Sequence, residues 1–162
     1  MSDAIIPFLS AERFGSTEEV RDFLSDGQDV GVKEKLGMTA LHLSVYHGKF
    51  EAARLLSAHG AVVKAVGASG ETPLHYAAVR STTAMAELLL WHGADANALD
   101  LLGQTPLHYE AIWNGDTATT KLFIKLGADP NVVDENGHTA LSLAEDRLFA
   151  DLAMLLRAYA RR

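Results

Sequence analysis

The chain of 162 residues carries seven histidines, and histidine is the side chain that most readily serves as a metal ligand or general base near neutral pH. Three of them, His42, His75 and His108, follow one another at intervals of 33 residues. That regularity argues against chemistry. Ligands of one metal ion converge to about 2 Å from it, whereas equivalent side chains in stacked units form a ladder with rungs roughly 10 Å apart, the spacing of neighbouring helices. His59 and His92 keep the same interval and fall at expected helix ends, where a partly charged ring suits the negative end of the dipole. The absence of cysteine removes disulfides, thiolate zinc sites and a thiol nucleophile together. No serine stands in a nucleophile-elbow motif, and Gly67-Ala68-Ser69-Gly70 lacks the lysine of a phosphate loop. Glu18 and Glu19 fall on a helix start, where acids are expected without catalytic duty. The sequence predicts no catalytic residue, metal or cofactor.

The elements that set these spacings are repeats. Gly37-Met38-Thr39-Ala40-Leu41-His42 recurs as Gly70-Glu71-Thr72-Pro73-Leu74-His75, as Gly103-Gln104-Thr105-Pro106-Leu107-His108 and as Gly137-His138-Thr139-Ala140-Leu141-Ser142. The threonines are 33, 33 and 34 residues apart. A second marker keeps the same step: Gly60, Gly93 and Gly127 each precede an alanine, and Gly27 lies 33 residues before Gly60. Within one unit, Thr72 is a good N-cap and Pro73 suits the first helical position, where its missing N–H costs nothing. Leu74, Ala77 and Ala78 make a helix small enough for close approach. A second helix carries Met85, Leu88 and Leu89 at helical spacing. Gly93 ends that helix, and Asp95, Asn97 and Gly103 belong to the loop leading to the next unit.

The period and the Thr-Pro-Leu-His-x-Ala signature resemble the ankyrin-repeat family. The resemblance covers nearly the whole chain and implies an all-α solenoid of stacked helix-turn-helix units joined by hairpin-like loops. Five repeats are expected in one domain, at about 1–33, 34–66, 67–99, 100–133 and 134–162. The first is degenerate, with Ile6-Pro7-Phe8-Leu9 in the slot of Thr72-Pro73-Leu74-His75, and the last lacks the histidine. Atypical ends suit terminal units that meet water, so the chain reads as a complete protein. The resemblance also implies that His42, His75 and His108 hydrogen-bond the backbone of the neighbouring loop. Leu74, Leu107, Leu55, Leu88 and Phe123 are expected to be the costliest positions to truncate.

Composition narrows the partner. Fourteen Lys and Arg against 21 Asp and Glu leave a net charge of −7, which disfavours nucleic acid and would suit a protein with a basic surface. By repeat the charges are −4, +2, −2, −2 and −1, so the second is the only basic one. The hydrophobic fraction of 48% and charged fraction of 22% are those of a folded globular chain. Pro7 interrupts an N-terminal apolar run that has no basic flank, a poor signal peptide. No stretch approaches the roughly 20 apolar residues of a membrane span. A cytoplasmic monomer is expected.

What remains is a surface. The resemblance implies docking on the concave side, built from loop tips and first helices. The residues closing each first helix include Phe14, Tyr46, His47, Arg80, Ile112, Trp113 and Arg147, types enriched at binding hot spots. Their competing role is to shield neighbouring helices. Leu101 and Leu102, with Lys35, Leu36 and Met38, add apolar residues at tips that are usually polar. Glu110 stands where the preceding repeat has Ala77, and the turn after it holds one extra residue. A buried carboxylate is costly, so Glu110 is expected to tilt to the concave rim near Arg80 or Tyr76, which would centre the site on Trp113. Trp91 lies on a second helix and ranks lower. The expected function is a non-catalytic protein–protein interaction module. The alternatives are an inhibitor or antidote that blocks a partner's active site, and a self-assembling protein using Leu101, Leu102 and Trp113.

Overall fold

The computed structural model describes residues 16–80 and 82–160; Phe14 and the Pro7 slot lie outside them. Among the described residues are nine α-helices: α1 (Thr17–Ser25), α2 (Ala40–Tyr46), α3 (Phe50–Ala58), α4 (Pro73–Arg80), α5 (Thr83–Trp91), α6 (Pro106–Trp113), α7 (Thr117–Lys125), α8 (Ala140–Asp146) and α9 (Ala150–Ala160). No helix of this set is long and apolar enough to cross a membrane. The first helices α2, α4, α6 and α8 pack side by side in one layer, and α1, α3, α5, α7 and α9 form a second. The architecture is an all-α repeat solenoid.

Local chemistry starts each first helix. Thr39, Thr105 and Thr139 accept a hydrogen bond from the backbone N–H three residues on, and the residue there bonds back to the threonine N–H. This reciprocal cap satisfies two of the donors that every helix start leaves open. Ala77, Ala78, Ala111 and Ala144 are fully buried, and their small size lets the helix axes approach. Leu41, Leu74, Leu107 and Phe123 fill the space between units.

Two core expectations need correction. Leu55 and Leu88 only flank the core, while Leu56 and Leu89 are fully buried. Successive helical residues point about 100° apart, and the neighbour centres the apolar stripe here. Met38 is likewise not an exposed tip residue; it folds beneath its hairpin onto the core.

Hairpin tips join one unit to the next through the backbone. Ala68 N donates to Leu36 O at 2.9 Å, Leu101 N to Ser69 O at 2.9 Å and Glu135 N to Leu102 O at 3.0 Å. Such approach needs glycine at Gly70, where φ is +88° and an added Cβ would lie 2.9 Å from Leu101 N. Carboxylates brace the tips. Glu34 accepts from Leu36 N and Met38 N, Asp100 from Leu102 N and Gln104 N, and Asp134 from Asn136 N and His138 N.

The turn between the two helices of a unit passes through left-handed backbone. Gly115 occupies it with φ +73° and Leu148 with φ +60°. Leucine there is strained by on the order of 1 kcal/mol, and its side chain is 87% exposed. An alanine at Gly115 would press its Cβ to within 2.7 Å of the Phe149 ring. These two slots should therefore respond oppositely in urea denaturation. Leu148→Gly is expected to stabilise by about 1 kcal/mol, and Gly115→Ala to destabilise by at least as much. Destabilisation by Leu148→Gly would show that the strain is not there.

Candidate protein-binding face

The histidines prove to be part of the frame. Thr39 N–H points at His42 Nδ1 across 3.1 Å, and His42 Nε2 meets Glu71 O at 3.1 Å. A backbone N–H can only donate, so Nδ1 is the acceptor and Nε2 carries the proton toward the carbonyl. His75 repeats this with Thr72 N and Gln104 O, and His108 with Thr105 N and His138 O. Both ring nitrogens of each are thereby consumed within the stack. Burial, partly opposed by the backbone carbonyls, pushes His42 down to about 4 and lowers His75 and His108 as well. His59 and His92 each bring ring Nδ1 to a carbonyl four residues earlier, Leu55 O and Leu88 O, at their helix ends.

Glu110 does not tilt to the rim. It is fully buried, and one oxygen accepts from Asp116 N at 2.7 Å and Asn114 Nδ2 at 3.0 Å. The carboxylate thus folds the turn that carries the extra residue, and Asn114 Nδ2 also reaches Ala78 O in the preceding unit. The desolvation that made burial look too costly shows instead as a displaced protonation equilibrium: burial raises the carboxyl to about 7. Its other oxygen, Oε2, is buried without a hydrogen-bond partner. Glu110 is a positioning residue for the turn after α6, not a contact residue.

Of the other expected site residues, Tyr46, His47, Arg80, Ile112, Trp113 and Arg147 form two clusters in the turn row. Arg80 Nε donates to Tyr46 O at 2.7 Å, and its guanidinium lies over the Tyr46 ring, 4.9 Å from the centroid. His47 and Tyr76 meet the same ring edge-on. Half-buried His47 is held toward its neutral form by burial first, then by Arg80 and Lys49. Two units along, the Arg147 guanidinium stands 6.0 Å from the ring centroid of Trp113, which is 61% exposed. Ile112 is half-buried beside it. Leu101 and Leu102 are exposed, as is Leu36, on the hairpin tips at the opposite end of the first helices. Trp91, at 79% exposure, lies elsewhere, bordering a shallow pocket with Leu90, Ala94 and Leu126 on the second-helix layer.

Sequence reasoning missed Leu148, although alignment of Gly48, Gly115 and Leu148 at the repeat interval puts a leucine in a glycine slot. It also missed the floor between tips and turns, where half-buried Tyr109 donates to Asp100 Oδ2 at 2.9 Å.

Stacked helix pairs with a hydrogen-bonded row of hairpins and an exposed aromatic–arginine row define a helical repeat protein of the interaction class. A family model described as ankyrin repeats (three copies) matches residues 8–100 and again 78–160, and the chain belongs to that ankyrin-repeat family. No curated protein matches the chain.

The buried titrating groups set opposite pH limbs. His42, His75 and His108 are depressed below the ordinary 6.5, so their stabilisation is complete above pH 6.5 and lost as pH falls below it, for His42 through about 4. Glu110 is raised from 4.5 to about 7, so its contribution is complete below pH 4.5 and lost as pH rises through 7. Compared with Glu110→Gln, the wild type should lose roughly 1–3 kcal/mol between pH 5 and pH 8 in urea midpoints, with the acid limb shared. A constant difference across that range would contradict the burial of a titrating Glu110.

Proposed function

We propose that this protein is a non-catalytic, cytoplasmic binding module that engages a protein partner across the face bounded by hairpin tips and turn row. The observation that carries the reading is the turn row itself. Tyr46, Arg80, Trp113 and Arg147 are exposed and arranged as cation–π pairs spanning successive units. Side chains of these types, already ordered, lose little entropy on docking and are the usual anchors of interfaces. Leu36, Leu101 and Leu102 add apolar area along the opposite rim. In ankyrin-repeat proteins these two rims border the concave side. The stacked units provide one continuous surface rather than separate sites. Blocking a partner enzyme's active site, the inhibitor or antidote form of this function, would use the same face and would be recognised by assaying the captured partner's activity.

Affinity capture from native extract tests the choice of face. Arg80→Glu with Trp113→Ala, shown folded by circular dichroism, is compared with Trp91→Ala and the wild type. A stoichiometric partner should survive Trp91→Ala and fall at least about tenfold with the double variant, as loss of a hot spot implies. Loss with Trp91→Ala and retention by the double variant would move the interface to the second-helix layer.

A further inference from the structure

The net charge of −7 points to a basic partner, yet the turn row has the other sign. Its cations are Lys49, Arg80 and Arg147, all exposed. Of its acids, Asp116 spends both oxygens on Ala118 N, Thr119 N and Thr119 Oγ1 as the cap of α7. Glu145 is paired with Arg157. Among the described residues of the turns themselves, Asp146 remains to offset three cations. Arg80 has only its Nε engaged, and Arg147 makes its ring contact alone, among the described residues. Each guanidinium is thus held against an aromatic ring with its terminal N–H donors unused. A guanidinium ordered in this way is prepared for bidentate recognition of a carboxylate.

Spacing adds a length. Arg80 ends α4 and Arg147 follows α8, with α6 between them in the layer. Two helix-packing steps of roughly 10 Å put the two turns about 20 Å apart. An extended chain rises about 3.3 Å per residue, so it covers that distance in about six residues. Each guanidinium leans back over the ring of the preceding unit, Arg80 onto Tyr46 and Arg147 onto Trp113, so the two stay two units apart.

We propose that the turn row binds an extended acidic segment of a partner protein, with two carboxylates about six residues apart gripped by Arg80 and Arg147. This inference rests on the protein-binding reading above and gives that partner its chemistry. The guanidiniums supply charge-assisted hydrogen bonds, and the aromatic rings beneath fix their orientation.

The test is fluorescence anisotropy with labelled ten-residue peptides in Ser-Gly backgrounds. One carries Glu at positions six apart, a second has Lys in place of both Glu, and a third has the two Glu adjacent. Binding is measured against wild type, Arg80→Gln, Arg147→Gln and Arg80→Lys, each checked for fold by circular dichroism. The spaced-acid peptide should bind roughly tenfold tighter than the other two. Each Arg→Gln should weaken it about three- to tenfold, Arg80→Lys should recover only part, and added salt should weaken it. Equal or tighter binding of the lysine peptide, indifference to both Arg→Gln changes, or no binding of the spaced-acid peptide at millimolar concentration overturns the proposal. A phosphoserine version bound far tighter than the glutamate peptide, with free phosphate competing, overturns it in favour of phosphate recognition. If any of these occurs while the captured partner still depends on Arg80 and Trp113, the binding face stands and only the acidic chemistry falls. If the captured partner is indifferent to both residues, the face itself was wrongly chosen.

Discussion

A helix pair of this length cannot bury its own apolar side, so every unit depends on its neighbour, and the most specific expression of that dependence is a buried imidazole. His42, His75 and His108 each take a proton donor from their own helix cap on Nδ1 and give Nε2–H to a carbonyl of the next hairpin. The same ring closes the helix start and fixes the distance to the following loop. Backbone bonds between hairpin tips and the Asn97 side chain, which reaches Gly127 O and Asp129 N, repeat the coupling elsewhere. Charging any of these rings would replace a good acceptor with a second donor facing a backbone N–H, deep in the stack.

Because the frame consumes the residue types that looked reactive, function has to be sought in what the frame leaves unused. Apart from the bond from Arg80 Nε to Tyr46 O at the end of α2, the exposed arginines and aromatics of the turn row have no part in the caps, the core or the hairpin braces. Their local sign differs from that of the whole chain, since many acidic groups are spent internally: Asp100 and Asp134 brace tips, Asp116 caps α7 and Glu110 is buried. Net charge therefore says little about the face a partner meets.

Much of this was legible in the sequence for a physical reason. Thr-Pro-Leu-His at a fixed period writes cap, helix start, core and cross-unit bond in four letters, and each letter acts through local chemistry. What was not legible depends on tertiary detail. Leu55 and Leu56, or Leu88 and Leu89, are indistinguishable by composition, and a rotation of the helix by one residue decides which is buried. Glu110 reads as too costly to bury until the turn with an extra residue supplies two donors for it. Leu148 occupies a left-handed slot that a leucine's own preferences argue against.

The stack depends on ladder histidines that are structural and uncharged. Imidazole ¹⁵N chemical shifts followed by long-range NMR correlation between pH 5 and 8 test it directly. His42, His75 and His108 should all report Nε2 protonated and Nδ1 bare at neutral pH, each titrating below the ordinary imidazole range. An imidazolium signal at neutral pH, or a proton on Nδ1 in any of the three, would contradict the bonding on which the stack is argued to depend.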